Sequence, residues 1–468
     1  MEDLHDLSLS EASRRIQAGA LSPVELAKAL LARIDALDPT FRAFARITHE
    51  RALDDARRAE EELARGRWRG PLHGVPIALK DLVDTAGIAT EAGMKALAGR
   101  VPDEDSTVAA RLREAGAVLL GKLAMTEGAG SHHHPELAPP LNPWSPDHWT
   151  GVSSSGSGVA VAARLCLGAI GSDTGGSIRF PSAACSVTGL KPSWGRVSRH
   201  GIFPLAPSLD HVGPMAGSAA DCALLLGAIA GADARDPTAL REPADDYTGA
   251  LDRGVKGVTI GVNRDWCLAG VHPEIAAAFE TALQALADAG ARIREMAMPD
   301  SRALASGWIP ACAVEAALAH ETLFRERMDD YGPSLGALVR IGGSLPAVEY
   351  ARIGAERRTV GARLAALFAD VALIATPAMS MPVPTLAEAE SGAMDPAEVL
   401  RFTALWNFAG NPTLSLPCGF DSAGLPIGFQ LVGPALGEAA LLAAGAAFQR
   451  GTDWHRLRPP LRTVDPIR

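Results

Sequence analysis

The sequence reads TGVSSSGSG at residues 150–158 and GSDTGGSIR at residues 171–179, and an apolar, helix-like run joins these two loops. Glycine beside serine lets a backbone approach a ligand closely and turn several N–H groups toward one point, as an oxyanion hole requires. One such loop on its own is more often a plain turn. Two loops in this order, around one apolar segment, indicate a catalytic site.

A serine in these loops needs a base, because its hydroxyl is a weak nucleophile at neutral pH. Around Ser177 the sequence has neither a Gly-x-Ser-x-Gly elbow nor a Ser-x-x-Lys motif, so the base must come from elsewhere. Lys80 follows the apolar run VPIAL at 75–79, and burial there would lower its pKa from about 10.4 toward neutrality. By composition alone, a solvated surface lysine is the more common interpretation.

The two loops resemble the signature segment of the amidase signature family of serine hydrolases. The resemblance covers nearly the whole chain and includes KDLVD at 80–84, GLKPS at 189–193, DHVGP at 210–214, GNP at 410–412 and GFQLVGP at 428–434. It implies hydrolysis of a carboxamide C–N bond. It also implies the family's fold, an α/β single large domain with a central mixed β-sheet.

By this resemblance Ser177 is the nucleophile, Lys80 is the base, and Ser153, held in an unusual cis peptide, bridges them in a Ser-cisSer-Lys triad. Neutral Lys80 would take a proton through Ser153 from Ser177, which attacks the carbonyl and forms an acyl-enzyme that water hydrolyses. The N–H groups implied for the oxyanion hole are those of Thr174, Gly175, Gly176 and Ser177.

The chain departs from the family's Gly-Gly-Ser-Ser-Gly-Gly-Ser at two positions, where Val152 and Ser155 replace glycines. Neither change removes a member of the triad, although both alter the backbone freedom around Ser153. Asp173 and Arg179 match charged positions of the motif, and we expect them to form a structural pair.

The rest of the chain alternates helical and strand patterns, which predicts an α/β architecture with helices on both faces of a sheet. Helices are predicted at 22–34, 106–115, 218–230, 273–289 and 437–449, and buried strands at 117–120, 258–262, 371–375 and 427–431. We expect one domain over 1–468. Its parts are an N-terminal helical part at about 1–65, a catalytic core at about 70–230 and a substrate-side excursion at about 299–358.

The net charge and the composition restrict the classes of partner and the cellular location that we expect for this chain. The net charge of −10 lacks the electrostatic attraction behind nucleic-acid binding. The six cysteines have no CxxC pairing, no secretory leader is apparent, and no apolar run reaches the roughly 20 residues of a membrane span. We therefore expect a cytoplasmic protein with a small-molecule amide as partner, no nucleic acid, no membrane and no cofactor, and with a homodimer as the candidate assembly.

Two further patterns are weaker. GAVLLGKL at 116–123 matches a P-loop only through its seventh position, and its apolar interior indicates a buried strand. The histidines at 132–134 lack metal-ligand spacing, so we expect no metal and interpret 126–142 as a loop that borders the substrate cleft. The candidate substrate-binding residues are Met125, His132 and Trp308.

The apolar residues of the excursion at about 299–358 bear on the class of substrate. Trp308, Ile309, Leu335 and the pair Leu323 and Phe324 either line the cleft, which would favour aryl or longer acyl amides and aryl carbamates, or belong to the core. An alternative function is the glutamine-hydrolysing chain of a tRNA-dependent amidotransferase. Against it, the Tyr- and Arg-rich stretch usual in that chain is not recognised at 299–358. A third alternative is a catalytically silent binding protein on the same fold.

Overall fold

The computed structural model describes residues 3–300 and 302–461, and one mixed sheet of eleven strands organises this part of the chain. In spatial order the strands run β1-β3-β2-β4-β6-β5-β10-β11-β9-β7-β8. Their bounds are β1 Phe44–Ile47, β2 Pro76–Lys80, β3 Val118–Leu123, β4 Gly168–Asp173, β5 Thr188–Lys191, β6 His211–Ala216, β7 Thr259–Val262, β8 Arg292–Glu295, β9 Leu373–Pro377, β10 Thr413–Phe420 and β11 Pro426–Val432.

Eighteen α-helices surround the sheet within the described ranges. They are α1 Leu9–Gln17, α2 Pro23–Phe41, α3 His49–Ala64, α4 Thr107–Glu114, α5 Ser155–Ala162, α6 Arg179–Ala184, α7 Ala219–Ile229, α8 Arg264–Leu268, α9 Pro273–Asp288, α10 Arg302–Ser306, α11 Trp308–Ala319, α12 Glu321–Arg327, α13 Pro333–Ser344, α14 Ala347–Leu367, α15 Leu386–Glu390, α16 Pro396–Val399, α17 Ala404–Ala409 and α18 Glu438–Gly451.

The strand pairing confirms the expected mixed sheet. β2 lies parallel to both β3 and β4, whereas β4 pairs antiparallel with β6 and β10 pairs antiparallel with β5 and β11. Every residue of β2, β3 and β4 is buried. Parallel strands with both faces covered read as continuous apolar runs, and those of β2 and β3 are visible in the sequence. The strand β4 differs, because its residues 171–173 belong to the segment that the sequence predicts to be the second loop.

Helices cover both faces of the sheet, as β11 demonstrates. A Cβ built on Gly428 would lie 3.0 Å from Ala183 of α6, whereas the ring of the next residue, Phe429, lies 4.9 Å from the ring of Phe448 in α18. Successive residues of a strand face opposite sides. The helices α6 and α18 therefore pack on opposite faces, and the predicted α/β layering is confirmed.

The predicted elements are present with shifted ends. Ser22 caps α2 by accepting a hydrogen bond from the N–H of Glu25 at 3.1 Å, and the helix runs on past the predicted end. The strand predicted at 371–375 begins two residues later. The P-loop-like stretch 116–123 contains the buried strand β3, so its interpretation as a strand is confirmed.

The N-terminal part and the excursion differ in their elements. The segment 1–65, predicted to be helical, also contributes strand β1, which pairs antiparallel with β3. The excursion contributes no strand among its described residues, and its regular elements are α10 through α13, the first half of α14 and a 3-10 turn at Met328–Asp330. None of the described helices combines the length and the apolar character that crossing a membrane would require.

Candidate active site

Lys80 is the last residue of β2, the third of the eleven strands in spatial order, and is completely buried. Its Nζ lies 2.6 Å from Ser153 Oγ, 2.9 Å from Ser172 Oγ and 3.1 Å from Ser154 Oγ. Burial lowers the pKa of Lys80 well below its usual value, although Asp173 and Asp210 oppose the shift by their charge. The interpretation of Lys80 as a solvated lysine is therefore wrong.

The backbone around Ser153 is hydrogen-bonded to two other segments of the chain. The Ser153 carbonyl accepts a hydrogen bond from the N–H of Thr126 at 3.3 Å, and the Ser154 N–H donates to the carbonyl of Ser177, also at 3.3 Å. All peptide bonds of the described residues are trans, so the expected cis peptide at Ser153 is wrong for this structure. Trans is the ordinary state of a non-proline bond, since cis costs about 3 kcal/mol more.

Ser177 lies in the turn between β4 and α6, and its side chain borders a cavity. In the described part of the chain, neither its hydroxyl nor its backbone N–H has a hydrogen-bond partner, and the N–H groups of Thr174 and Gly175 are also unpaired. The N–H of Gly176 differs, because it donates to Asp173 Oδ1 at 2.9 Å. In this conformation three of the four N–H groups implied for the oxyanion hole are unpaired.

The two glycines of this turn are required by their surroundings. A Cβ on Gly175 would lie 2.4 Å from the ring of Trp308. Gly176 has φ +135°, a conformation that L side chains rarely adopt, and a Cβ there would lie 2.3 Å from the ring of Phe180. Both glycines therefore allow the turn to sit between two aromatic rings.

Asp173 and Arg179 form the expected structural pair. Both are fully buried, with Arg179 Nη2 2.8 Å from Asp173 Oδ1 and Nε 3.0 Å from Oδ2. The Arg179 guanidinium and hydrogen bonds, including one from Asn407 Nδ2 at 2.8 Å, outweigh desolvation and hold the pKa of Asp173 well below its usual range. Because Asp173 also accepts from the N–H groups of Gly176 and Ile178, the pair fixes the turn that carries Ser177.

Two cavities that share lining residues lie near the candidate catalytic residues, and only the first is lined by this turn. The first, of about 290 Å³, which we call the apolar cavity, has Thr174, Gly175 and Ser177 at one end. Its other walls are mainly Trp149, Phe180, Leu205, Trp308, Ile309, Leu338, Met394, Val399 and Leu400. None of its lining residues, in the described part of the chain, is an aspartate, glutamate, lysine or arginine.

The second cavity, of about 510 Å³, which we call the polar cavity, lies next to the first. It is lined by Thr126, Glu127, His132, His133, His134, Thr150, Gly151, Ser334 and Glu390 together with several apolar residues. Ser131, His132, Trp149 and Ala389 line both cavities. The two cavities therefore have part of their walls in common.

Of the three candidate substrate-binding residues, two line a cavity and one does not. His132 and Trp308 line the apolar cavity, and Trp308 Nε1 donates to the Thr174 carbonyl at 2.9 Å. Met125 is buried and lines neither cavity. Substrate contact by these residues stays a prediction.

The excursion supplies part of the apolar wall. Trp308 and Ile309 line the cavity, whereas Leu335 is buried, and Leu323 and Phe324 pack against the main core. Sequence patterns did not indicate further apolar lining residues, namely Leu338 of the same excursion and Trp149, Phe180, Met394, Val399 and Leu400 of other segments. Nothing in their local sequence marks them, because each is an ordinary apolar residue.

The histidine run does not converge on one point. His132 Nδ1 lies 3.0 Å from both Ser131 Oγ and Ser334 Oγ, His133 Nε2 lies 3.3 Å from Ser155 Oγ, and His134 Nδ1 accepts from the Glu136 N–H. Each ring thus has its own partner, as expected for a loop that borders a cleft.

Comparisons with known proteins agree with the fold. The structure of the peptide amidase PAM in complex with the competitive inhibitor chymostatin superposes with a TM-score of 0.84, at 32% identity and covering 97% of this chain and 98% of that one. The architecture is therefore that of the amidase signature enzymes. A family model described as amidase matches residues 25–442, and the chain belongs to the amidase family of enzymes, which act on amide C–N bonds.

Two curated relatives show the range of this family. The chain is 43% identical to a putative amidase AmiD of Mycobacterium bovis, over 97% of this chain and 96% of the relative. It is also 40% identical to the GatA-type chain of the glutamyl-tRNA(Gln) amidotransferase of Chloroflexus aurantiacus, over 98% of this chain and the whole relative. The segment 299–358 contains seven arginines and two tyrosines, so its composition does not separate the two classes.

Proposed function

We propose that this chain hydrolyses carboxamides to a carboxylate and an amine or ammonia, with Ser177 as nucleophile, Ser153 as proton relay and Lys80 as base. The observation that carries the proposal is the 2.6 Å contact between Lys80 Nζ and Ser153 Oγ in a fully buried site. A lysine can act as a base only when neutral, and burial lowers its pKa in that direction.

The first half of the reaction forms an acyl-enzyme. Ser153 transfers its proton to neutral Lys80 and, once the Ser177 hydroxyl is within hydrogen-bond reach of it, takes the proton of Ser177, whose oxygen attacks the amide carbon. The carbonyl oxygen becomes an oxyanion, and the unpaired N–H groups of Thr174, Gly175 and Ser177 are available to bind it. The relay then runs backward, and the amine leaves with the proton as the C–N bond breaks.

The second half regenerates the enzyme. Water gives a proton to the same relay and attacks the acyl carbon, and collapse of the second oxyanion breaks the bond to Ser177 Oγ. Lys80 is again neutral and Ser177 again carries its proton. The proton balance closes without a metal ligand or cofactor group in any step.

The apolar cavity supports a substrate with an apolar acyl group. Within the described ranges its wall contains no aspartate, glutamate, lysine or arginine, and its rings include those of Trp149, Phe180 and Trp308. Ligand cavities of this kind bind apolar surface and use a few polar groups for orientation. We therefore propose aryl amides, longer acyl amides and aryl carbamates as the preferred substrates.

The test is a labelling experiment combined with a substrate panel. A fluorophosphonate probe should label the wild-type protein at Ser177 and should not label Ser177→Ala, and only the wild type should hydrolyse an anilide. A wild-type protein that neither reacts with the probe nor cleaves any amide of the panel would favour a binding protein on this fold.

The amidotransferase chain is the second candidate, favoured by the 40% identity over the whole relative. It predicts glutamine hydrolysis that depends on partner chains. Glutaminase activity measured with and without a cell extract that supplies partners distinguishes the amidotransferase chain from a stand-alone amidase. Activity on anilides by the isolated chain, without glutaminase in either condition, would reject the amidotransferase role.

The homodimer and the cytoplasmic location stay predictions, which light scattering and cell fractionation can check.

A further inference from the structure

The polar cavity holds groups that the proposed reaction does not use. Glu127 is buried, with 1% of its surface exposed, yet borders this cavity, and Glu390 lies exposed on α15 at another part of its wall. No lysine or arginine lines the cavity anywhere in the described ranges. Both formally charged side chains in its wall are therefore carboxylates.

The carboxylate of Glu127 has unused acceptor capacity. The Gly332 N–H, at the start of α13, donates to Oε1 at 2.9 Å and to Oε2 at 3.1 Å, and this single N–H is the only donor to the Glu127 side chain in the described part of the chain. A carboxylate offers about four lone-pair sites. A ligand in the cavity can therefore supply further hydrogen-bond donors to Glu127.

His133, which also lines the polar cavity, does not supply a positive charge there. Burial, with smaller contributions from the charges of His132 and Lys80, lowers the pKa of His133 to about 4. Its imidazole is therefore neutral at physiological pH and hydrogen-bonds to Ser155. The acidic groups of the cavity wall are therefore Glu127 and Glu390, beside His132 and His134.

The position of the polar cavity relates it to the leaving group. Thr126, which lines it, donates its N–H to the Ser153 carbonyl, and Gly151 of the same wall precedes Ser153 by two residues. The N–H groups proposed for the oxyanion hole border the other, apolar cavity. In the proposed reaction the departing nitrogen receives its proton from Ser153, so the amine half of the substrate must leave from the side of this relay.

We infer that the polar cavity binds the amine half of the substrate and selects amines that carry a second, positively charged group, with Glu127 as its principal partner. This inference rests on the proposed function. It makes the preferred substrate an amide with an apolar acyl group in one cavity and an ammonium-bearing amine, such as a monoacylated diamine, in the other. Glu127 is thereby a specificity-determining residue whose charge does not enter the chemical steps.

The test compares three amides that differ only at the far end of the amine: N-(4-aminobutyl)hexanamide, N-pentylhexanamide and N-(4-hydroxybutyl)hexanamide. Burial raises the pKa of Glu127 to about 7, so the assay is run at pH 8, where Glu127 is mostly ionised and an alkylammonium, with a pKa of about 10.4, is still charged. We expect kcat/KM for the aminobutyl amide to exceed that of the pentyl amide about tenfold, as for a hydrogen-bonded charge pair. The hydroxybutyl amide should behave like the pentyl amide.

Variants assign the preference to the cavity. Glu127→Gln retains an acceptor for the Gly332 N–H but removes the charge, and should lower the ratio of the two kcat/KM values to about one. Glu390→Gln, which does not touch the core, should lower the ratio by a smaller factor. Glu326→Gln removes an equal charge from an exposed position outside both cavities and should leave the ratio unchanged.

The outcomes separate this inference from the proposed function. Hydrolysis of all three amides by the wild type without an ammonium preference would overturn the inference and leave the proposed function intact. A preference that survives Glu127→Gln would also overturn it. If none of the amides is cleaved and the fluorophosphonate probe does not label Ser177, the proposed function itself fails.

Discussion

Lys80 Nζ lies 2.6 Å from Ser153 Oγ, and neither side chain has exposed surface. The two residues are 73 positions apart, and they meet because β2, which ends at Lys80, is parallel to β4 and ends beside the serine loop. Burial removes water from the Lys80 side chain and so disfavours its charged form. The neutral amine, which burial favours, is the form that can accept a proton.

We therefore expect the activity to rise with pH as Lys80 loses its proton. The kcat/KM for an anilide should rise with pH through an apparent pKa well below 10.5, because protonated Lys80 cannot act as base. A pH–rate profile from pH 5 to 9 measures this. Lys80→Arg should be inactive across the range, since arginine stays protonated. A flat profile, or an active Lys80→Ala, would remove Lys80 from the mechanism.

Ser177→Ala should abolish turnover while leaving the protein folded, because its hydroxyl has no hydrogen-bond partner in the described structure and supports no neighbour. Steady-state kinetics and thermal unfolding of the same preparation measure both properties. A variant within tenfold of the wild-type rate would contradict the assignment, since removing a nucleophile typically costs several orders of magnitude in kcat.

Arg179→Ala should destabilise the protein by about 3–5 kcal/mol, because it leaves the buried Asp173 carboxylate without its partner. Urea unfolding monitored by far-UV circular dichroism gives this free energy. The double variant Arg179→Ala with Asp173→Ala should recover part of the loss, since no buried charge is then left unpaired. A loss under about 1 kcal/mol for the single variant would show that the pair does not fix the turn.

Gly175→Ala should destabilise the protein by about 1–3 kcal/mol, because the added methyl group overlaps the Trp308 ring. In a Trp308→Ala background the same change should cost much less, since the overlapping ring is gone. A double-mutant cycle from thermal unfolding measures the difference. Equal costs in both backgrounds would place the strain elsewhere in the turn.

Lengthening the acyl chain should raise kcat/KM, because each CH₂ buried in the apolar cavity contributes about 0.8 kcal/mol, or roughly fourfold. The comparison runs from acetamide to hexanamide, with an anilide as the aryl case. If the added binding energy is expressed equally in the bound substrate and the transition state, KM falls and kcat stays constant. Preference for acetamide would mean that the apolar residues do not contact the acyl group.

The amino-acid sequence was sufficient to predict the fold class and to point to the candidate catalytic serines and the lysine. Strands such as β2 and β3 are buried on both faces, so their apolar runs are visible without any tertiary information. The turn that carries Ser177 needs glycine at positions 175 and 176 to fit between Trp308 and Phe180, and this requirement left a recognisable pattern. A steric requirement on the backbone restricts the residue at that same position, so it is visible in the local sequence.

The protonation state of Lys80 and the walls of the two cavities depend instead on tertiary packing. A lysine after an apolar run can face solvent or the core, and the serines that surround Lys80 come from segments 73 to 92 positions away. The apolar cavity combines residues such as Trp149, Trp308 and Leu400, each of which resembles an ordinary core residue in its own segment. An apolar side chain is favoured equally by a core and by an apolar cleft, so the choice between them is made by the packing of distant segments, which no local pattern encodes.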